Sequence, residues 1–270
     1  MTELVDFFAS DAIRPHISAF ALGIIRLSVF ISFAPFFGPN VTAAVKFPIL
    51  LALYMPLHPF LVESPYILDL GTFSGLLDFL VIVVKESAIG FIMAFVIGNI
   101  FYAALGAGNI IDNQRGASMA QAADPLSGAE STPLGDALFY AMVTLFFASG
   151  AFLNFLNIFY STYVMWPPSE LMPGLLSSNV SVVAADETDF LLEQALLVCA
   201  PFVLICLLCD IALGLMNRFA PQLNVFILSM PIKSGICALL IIFYVGPFLD
   251  HSQRLFNHIA EVINRLNVIL

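Results

Sequence analysis

The sequence has 270 residues, of which 60% are hydrophobic and only 10% are charged. An average soluble domain carries roughly 25% charged residues, so the composition argues against a soluble fold and predicts an integral membrane protein. The net charge of -10 argues against nucleic acid as a partner and against a polybasic lipid-binding surface.

Long apolar stretches predict an all-α membrane protein, because several of them reach the ~18 to 20 residues that a helix needs to cross a bilayer. A barrel would show short alternating segments instead. Three prolines interrupt the second stretch, the third is long enough to bend, and Pro201, Pro231 and Pro247 are expected to kink the later helices. The six predicted segments cover residues 17–37, 47–62, 76–111, 134–166, 190–216 and 223–249.

We expect one membrane domain over residues 1–270, with an N-terminal helical part (1–190), a helical hairpin (190–250) and a tail (251–270). The tail has apolar residues three or four positions apart, which predicts a C-terminal amphipathic helix. Such a helix is expected to dock on a partner or on the membrane surface. Its apolar positions are Leu255, Ile259, Val262, Leu266 and Ile269.

Two polar loops separate the predicted segments. Residues 109–135 are rich in Gly and Ala, and residues 167–189 are acidic and contain no Lys or Arg. Under a six-span topology, one side of the membrane has Lys46, Arg115, Arg218 and Lys233. The other side has Arg14, Arg254 and Arg265. The positive-inside rule favours the first side as cytoplasmic, which places the acidic loop and both termini outside.

Charged residues inside apolar segments must be paired, hydrated or shielded from lipid, because a charge at the bilayer centre costs at least ~2.5 kcal/mol. These buried charges are predicted at Arg26, Lys85, Glu86 and Asp210. Lys85 and Glu86 are neighbours on a helix and point in different directions, so we expect them to face different partners instead of each other. Ion pairs between helices and a proton relay or substrate contact both remain open as roles.

Catalytic and metal-binding signatures are missing from the sequence. It has no G-x-S-x-G, no H-E-x-x-H and no phosphate-binding loop, so we expect neither an enzyme nor a cofactor. The four cysteines lie in apolar segments and are expected to pack between helices, and the four histidines are scattered. A secondary transporter is the alternative interpretation, although it predicts two related halves and none is visible.

The stretch "NRFAPQLNVFILSMPIKSG", residues 217–235, predicts the tip of a helical hairpin. Asn217 and Arg218 can satisfy the last carbonyls of one helix, Pro221 prevents its continuation, and Asn224 can cap the next helix. Pro231 and Lys233 lie two to three turns into the returning helix, so this part is expected to be covered by protein or water.

This stretch closely resembles the T-subunit family of the type III secretion export apparatus, whose flagellar counterpart is FliR. The resemblance extends over most of the chain and is closer to the virulence injectisome branch than to the flagellar branch. It includes "RLSVFISFAPFFG" at residues 26–38, "KESAIGFIMAF" at 85–95 and "GNIIDNQRGASMAQAADP" at 108–125.

The resemblance implies a multi-pass protein of the bacterial inner membrane that forms and gates an export pore. Its implied partners are the R and S export-gate subunits, the U switch subunit, the V export-gate subunit, membrane lipid and unfolded secreted proteins in transit. The family forms a helical hetero-oligomer that is raised partly out of the bilayer. This arrangement would explain helical segments that are broken by prolines and charges.

The resemblance also implies two functional regions. The loop at 109–135 matches the plug of the family's closed pore, and the implied plug or pore-lining residues are Asp112, Asn113, Gln114, Arg115, Gly116, Met119, Gln121 and Asp124. The hairpin tip matches a cytoplasmic region that contacts partners. Its implied residues are Asn217, Arg218, Pro221, Gln222, Asn224, Pro231 and Lys233.

Overall fold

A computed structural model describes residues 13–38, 41–63, 72–116, 132–169, 178–219, 222 and 224–269. Every regular element in these ranges is helical, which confirms the predicted all-α class. A short 3-10 helix at Pro35–Phe37 follows the first α-helix. The described ranges contain eight α-helices: α1 (Arg14–Phe33), α2 (Ala43–Tyr54), α3 (His58–Glu63), α4 (Phe73–Arg115), α5 (Pro133–Ala148), α6 (Ala151–Met165), α7 (Ser178–Phe219) and α8 (Val225–Ile269).

Four of these helices, α1, α4, α7 and α8, are long and apolar enough to cross a membrane. A fifth span is possible if α5 and α6 form one broken span, since they are bent by 74° at the break between them. Gly150 in this break has a φ of +77°, a backbone conformation that glycine adopts without strain. The protein is therefore a multi-pass membrane protein, as the composition predicts.

The described chain groups into two compact units. The first contains residues 1–98, 153–184 and 259–270, and the second contains residues 99–152 and 185–258. In the first unit an aromatic cluster joins α1 to α6, where the ring of Phe30 lies 4.9 Å from that of Phe159 and 5.3 Å from that of Phe155. Tyr163 of α6 also donates a hydrogen bond to Gly23 O of α1 at 2.9 Å.

The core of the second unit is also aromatic. Phe146 of α5 contacts Phe101 of α4 and Phe256 of α8, with ring centroids 5.4 Å apart in each case. Phe202 of α7 packs edge-on against Tyr244 of α8 at 5.2 Å. These pairs tie four helices together, and each offset or edge-on pair adds to the free energy gained by burying its surface.

The predicted amphipathic tail is not a separate helix, because α8 continues without a break from Val225 to Ile269. Its apolar side is buried within this chain at Leu255, Ile259, Val262 and Leu266. The expectation that this side docks on a partner or on the membrane surface was therefore wrong for these four residues. The periodicity identified the buried face correctly, but it could not identify what covers that face.

The predicted acidic loop is shorter than expected, since α7 already begins at Ser178. Glu187 is buried, and its carboxylate lies 3.4 Å from His258 Nε2 on α8. The ring of His258 in turn stacks on Phe190 at 4.0 Å. Contacts with a residue 71 positions away, which local sequence does not reveal, thus hold the predicted loop residues in a helix.

Candidate functional site

Three of the predicted buried charges form one cluster in the first unit. Arg26 of α1 donates two hydrogen bonds to the carboxylate of Glu86 on α4, at 2.7 and 3.1 Å. Lys85 Nζ lies 3.2 Å from the same carboxylate, and all three side chains are almost completely buried. We call these three residues the Arg26 cluster.

The Arg26 cluster has one positive charge more than it has negative charges, and the end of α6 supplies acceptors for the excess. Arg26 donates to Trp166 O at 2.8 Å, and Lys85 donates to Pro167 O at 2.8 Å. Arg26 also donates to Thr162 Oγ1 at 2.8 Å, and its guanidinium lies 4.1 Å from the ring centre of Tyr163. Because the carbonyl end of a helix is its negative end, these contacts stabilise the extra cation and join α1, α4 and α6.

The prediction that Lys85 and Glu86 face different partners was wrong in one respect. Each has a separate partner, Pro167 O for Lys85 and Arg26 for Glu86. They also contact each other at 3.2 Å, however, because the flexible lysine side chain reaches the carboxylate that Arg26 holds in place. Adjacent backbone positions diverge on a helix, but a long side chain can bridge that divergence.

The predicted plug region begins later in the chain than expected. The helix α4 continues through Arg115, so Asp112, Asn113, Gln114 and Arg115 form its last turn instead of a loop. Gly116 follows with a φ of +85°, the left-handed conformation that commonly ends a helix. Met119, Gln121 and Asp124 lie outside the described residues.

Asp112 ties the end of α4 to the start of α5. It is buried, its Oδ1 accepts a hydrogen bond from Arg115 Nε at 2.8 Å, and its Oδ2 accepts one from Leu134 N at 2.9 Å. Beside it, the two helices approach so closely that a Cβ atom on Gly108 would clash with the backbone of Gly135. The last turns of α4 and the first turn of α5 are therefore held next to each other.

The hairpin tip presents polar side chains to its surroundings. Asn217, Arg218, Gln222 and Asn224 are all exposed, as a contact surface requires. Asn224 Oδ1 accepts a hydrogen bond from Ile227 N at 3.4 Å, which confirms the prediction that it caps the second helix of the hairpin. Pro221 lies outside the described residues.

The structure places the other two predicted tip residues differently. Pro231 is exposed, whereas Lys233 is buried and donates a hydrogen bond to Asp210 Oδ2 on α7 at 2.7 Å. Asp210, the fourth charge that was predicted to be buried, is only partly buried, since 40% of its side chain is exposed, and its partner is on the neighbouring helix of the hairpin. Lys233 Nζ also lies 3.3 Å from Gln114 O, so the predicted tip and the predicted plug region meet at this side chain.

Two further contacts were not foreseen. His16 and His58, which the sequence analysis treated as scattered, lie with ring nitrogens 3.1 Å apart. The sulfur atoms of Cys206 and Cys237 are 3.5 Å apart between α7 and α8, in agreement with the expected packing role. Within the described ranges, no group of three or more His, Cys, Asp or Glu side chains is arranged to hold a metal ion.

Comparisons with known proteins converge on one family. A model of the family described as bacterial export proteins, family 1, matches residues 17–259. Yop proteins translocation protein T of Yersinia pestis is 35% identical over 220 residues, which are 82% of this chain and 81% of that protein. Surface presentation of antigens protein SpaR of Salmonella typhimurium is 29% identical over 245 residues, which are 88% of each chain. Flagellar biosynthetic protein FliR of Bacillus subtilis is 28% identical over 268 residues, which are 98% of this chain and 97% of that protein.

Proposed function

Because this chain belongs to the family of bacterial export proteins, family 1, we propose that it is a structural and gating subunit of a type III secretion export gate. It is a multi-pass protein of the inner membrane that helps to form the pore through which unfolded proteins leave the cytoplasm. The higher identity to the Yersinia translocation protein than to the Bacillus flagellar protein favours the virulence branch.

The observation that carries this proposal is the length of the exposed apolar surface on α7. This helix has 42 residues, which correspond to about 63 Å at 1.5 Å per residue. Large apolar side chains that are more than half exposed occur along most of it. They include Val182, Leu192, Leu197, Leu204, Leu208, Ile211, Leu215 and Phe219.

A bilayer is too thin to cover this surface. The distance along the helix from Val182 to Phe219 is about 56 Å. A hydrocarbon core of about 30 Å covers about 39 Å of a helix even at a tilt of 40°. Exposed apolar side chains beyond that length need protein neighbours, because water would leave them unfavourably solvated. The proposed gate supplies such neighbours, since its subunits pack on one another partly above the bilayer.

The neighbours that we propose are the R and S export-gate subunits, with the U switch subunit and the V export-gate subunit close to the exposed hairpin tip. The role of the chain is structural, so it contributes surfaces and a pore lining instead of a catalytic group. Energy for export then comes from other components. In the membrane the remaining apolar surface contacts lipid.

Co-expression tests the proposed assembly directly. We expect native mass spectrometry in mild detergent to show one discrete complex of this chain with R and S subunits from the same system. A second chain tests whether the exposed face makes the contact: serine replaces Leu204, Leu208 and Leu215, and we expect this variant to enter the complex poorly. A chain that stays monomeric or forms only homodimers beside abundant R and S subunits would contradict the proposal.

We further propose that the segment following Gly116 contributes to the seal of the closed gate. The support is its base, where Asp112, Gly108 and Gly135 hold the end of α4 against the start of α5. A loop with such a fixed base can block a narrow pore and can move without disturbing the helices that carry it. The proposed lining residues in or next to this segment are Asp112, Asn113, Gln114, Arg115, Gly116, Met119, Gln121 and Asp124.

Deleting residues 117–124, which leaves the base intact, should make the assembled gate leak ions in planar bilayers. As a control, a Gly/Ser sequence of eight residues replaces residues 170–177, and this variant should stay closed. If the deletion variant assembles normally and its closed-state conductance is unchanged, this segment does not contribute to the seal.

A further inference from the structure

Lys233 lies where three helices meet in the second unit. From α8 it donates to the carboxylate of Asp210 on α7 at 2.7 Å and to the backbone carbonyl of Gln114 on α4 at 3.3 Å. Its side chain is only 11% exposed, whereas that of Asp210 is 40% exposed. The ammonium group is thus largely removed from water, and its two acceptors come from different helices.

The contact with Gln114 O compensates for a missing hydrogen bond at the end of α4. The last four carbonyl groups of a helix have no partner within the helix, and Gln114 is the next-to-last residue of α4. A cation at this end also interacts favourably with the helix dipole. Lys233 therefore acts as a C-terminal cap for α4 that is supplied by another helix.

A second contact joins the same two elements. A Cβ atom on Gly116 would lie 3.2 Å from Met230 Cγ, so the first turns of α8 pack directly against the residue that ends α4. Met230 and Lys233 are three positions apart and share one face of α8. Since Lys233 follows the cap residue Asn224 by nine positions, about 13 Å of helix connects the hairpin tip to the end of α4.

We propose that Lys233 is a positioning residue that couples the hairpin tip to the base of the predicted plug. A force on the tip moves the start of α8, and two contacts transmit this movement to the end of α4: the hydrogen bond from Lys233 to Gln114 O and the packing of Met230 against Gly116. The chemistry requires a cation that can donate to two acceptors at once, and a lysine ammonium with three donors satisfies this requirement. This inference rests on the proposed function, which gives the tip and the plug their roles.

Hydrogen exchange of the full chain in detergent tests the positioning role without the other subunits. Lys233→Met keeps the length of the side chain but removes the charge and the donors. Amides in the last turns of α4, residues 109–116, should then exchange about fivefold faster, because a helix cap or a hydrogen bond of ordinary strength is lost. Lys233→Arg, which retains a cation and several donors, should stay close to the wild-type rate.

Two matched variants separate the carbonyl contact from the ion pair. Arg254→Met removes an exposed cation from α8 itself, far from the tip, and should leave exchange at residues 109–116 unchanged. The double variant Asp210→Lys with Lys233→Asp swaps the two charges and so keeps an attraction between α7 and α8. An aspartate at position 233, however, cannot donate a hydrogen bond to Gln114 O. This double variant should therefore exchange as fast as Lys233→Met, and recovery of the slow rate would overturn the capping role.

The coupling itself is tested from the tip. Asn224→Ala removes the cap of α8 and should also speed exchange at residues 109–116, but it should add nothing in a chain that already carries Lys233→Met. An additive effect, or a wild-type rate in Lys233→Met, would overturn the inference. Complex formation with the R and S subunits is measured separately, so the proposed function can survive the failure of this inference.

Discussion

Replacing Glu86 with glutamine should lower the free energy of unfolding by about 3 to 5 kcal/mol, because it removes the buried carboxylate that both Arg26 and Lys85 contact. Backbone carbonyls would remain as acceptors for the two cations, which are almost completely shielded from water. The single tryptophan, Trp166, lies in the contact and provides the fluorescence signal. Thermal unfolding in detergent should shift down by about 10 °C or more.

Two controls define this prediction. Asp78→Asn makes the same change of charge on the same helix at a partly exposed position, and its unfolding temperature should stay near that of the wild type. Replacing Arg26 and Glu86 together with methionine should be less harmful than Glu86→Gln alone, since the pair is removed whole and only Lys85 then loses its contact with the carboxylate. If Glu86→Gln unfolds at the wild-type temperature, the cluster does not stabilise the first unit.

Replacing Gly90 with alanine should be the most damaging single-methyl change in the first unit. The added Cβ would lie 2.5 Å from Arg26 O, with further backbone atoms of Arg26 at 3.3 Å, so α1 and α4 would have to separate. Overpacking typically costs about 1 to 3 kcal/mol. Here the same displacement also stretches the bonds between Arg26 and Glu86, which lies one turn before Gly90, so we expect about 3 kcal/mol or more.

Gly246→Ala is the matched control, because a Cβ at Gly246 on α8 meets no atom within 4 Å. It should be neutral or slightly stabilising in the isolated chain, since alanine is favoured over glycine within a helix by about 1 kcal/mol. Unfolding temperatures of both variants, followed by Trp166 fluorescence, check the pair. Equal values would show that α1 and α4 are not in close contact at Gly90.

Structural features that depend on neighbouring residues could be predicted from the sequence. The polar residues at the hairpin tip, the cap at Asn224 and the interruption of the second predicted segment near Pro56 all depend on neighbours within a few positions. The helical periodicity likewise identified the buried face of the tail at Leu255 and Ile259. These features follow from backbone preferences and amphipathic spacing, which a single sequence contains.

Contacts between residues that are far apart in the sequence could not be predicted in this way. Arg26 finds Glu86 at a separation of 60 residues and Trp166 at a separation of 140. The extent of α4 beyond Ile111 was missed because part of its cap, Lys233, lies 119 positions after Gln114 in the sequence. His16 and His58 meet only because α1 packs against α3. The sequence showed that each charge needed a partner, but helix packing decides which partner it has.

The order in which the ribosome makes the chain affects how the first unit folds. Its helices come from residues 1–98 and 153–184, yet it also includes residues 259–270, whose apolar side is buried at Ile259, Val262, Ile263 and Leu266. The ribosome makes these residues long after the first spans have entered the membrane. The early helices must therefore wait, incompletely packed, until α8 arrives, and the step that completes this unit has a high contact order. Membrane insertion and final folding are thus separate events in time for this chain.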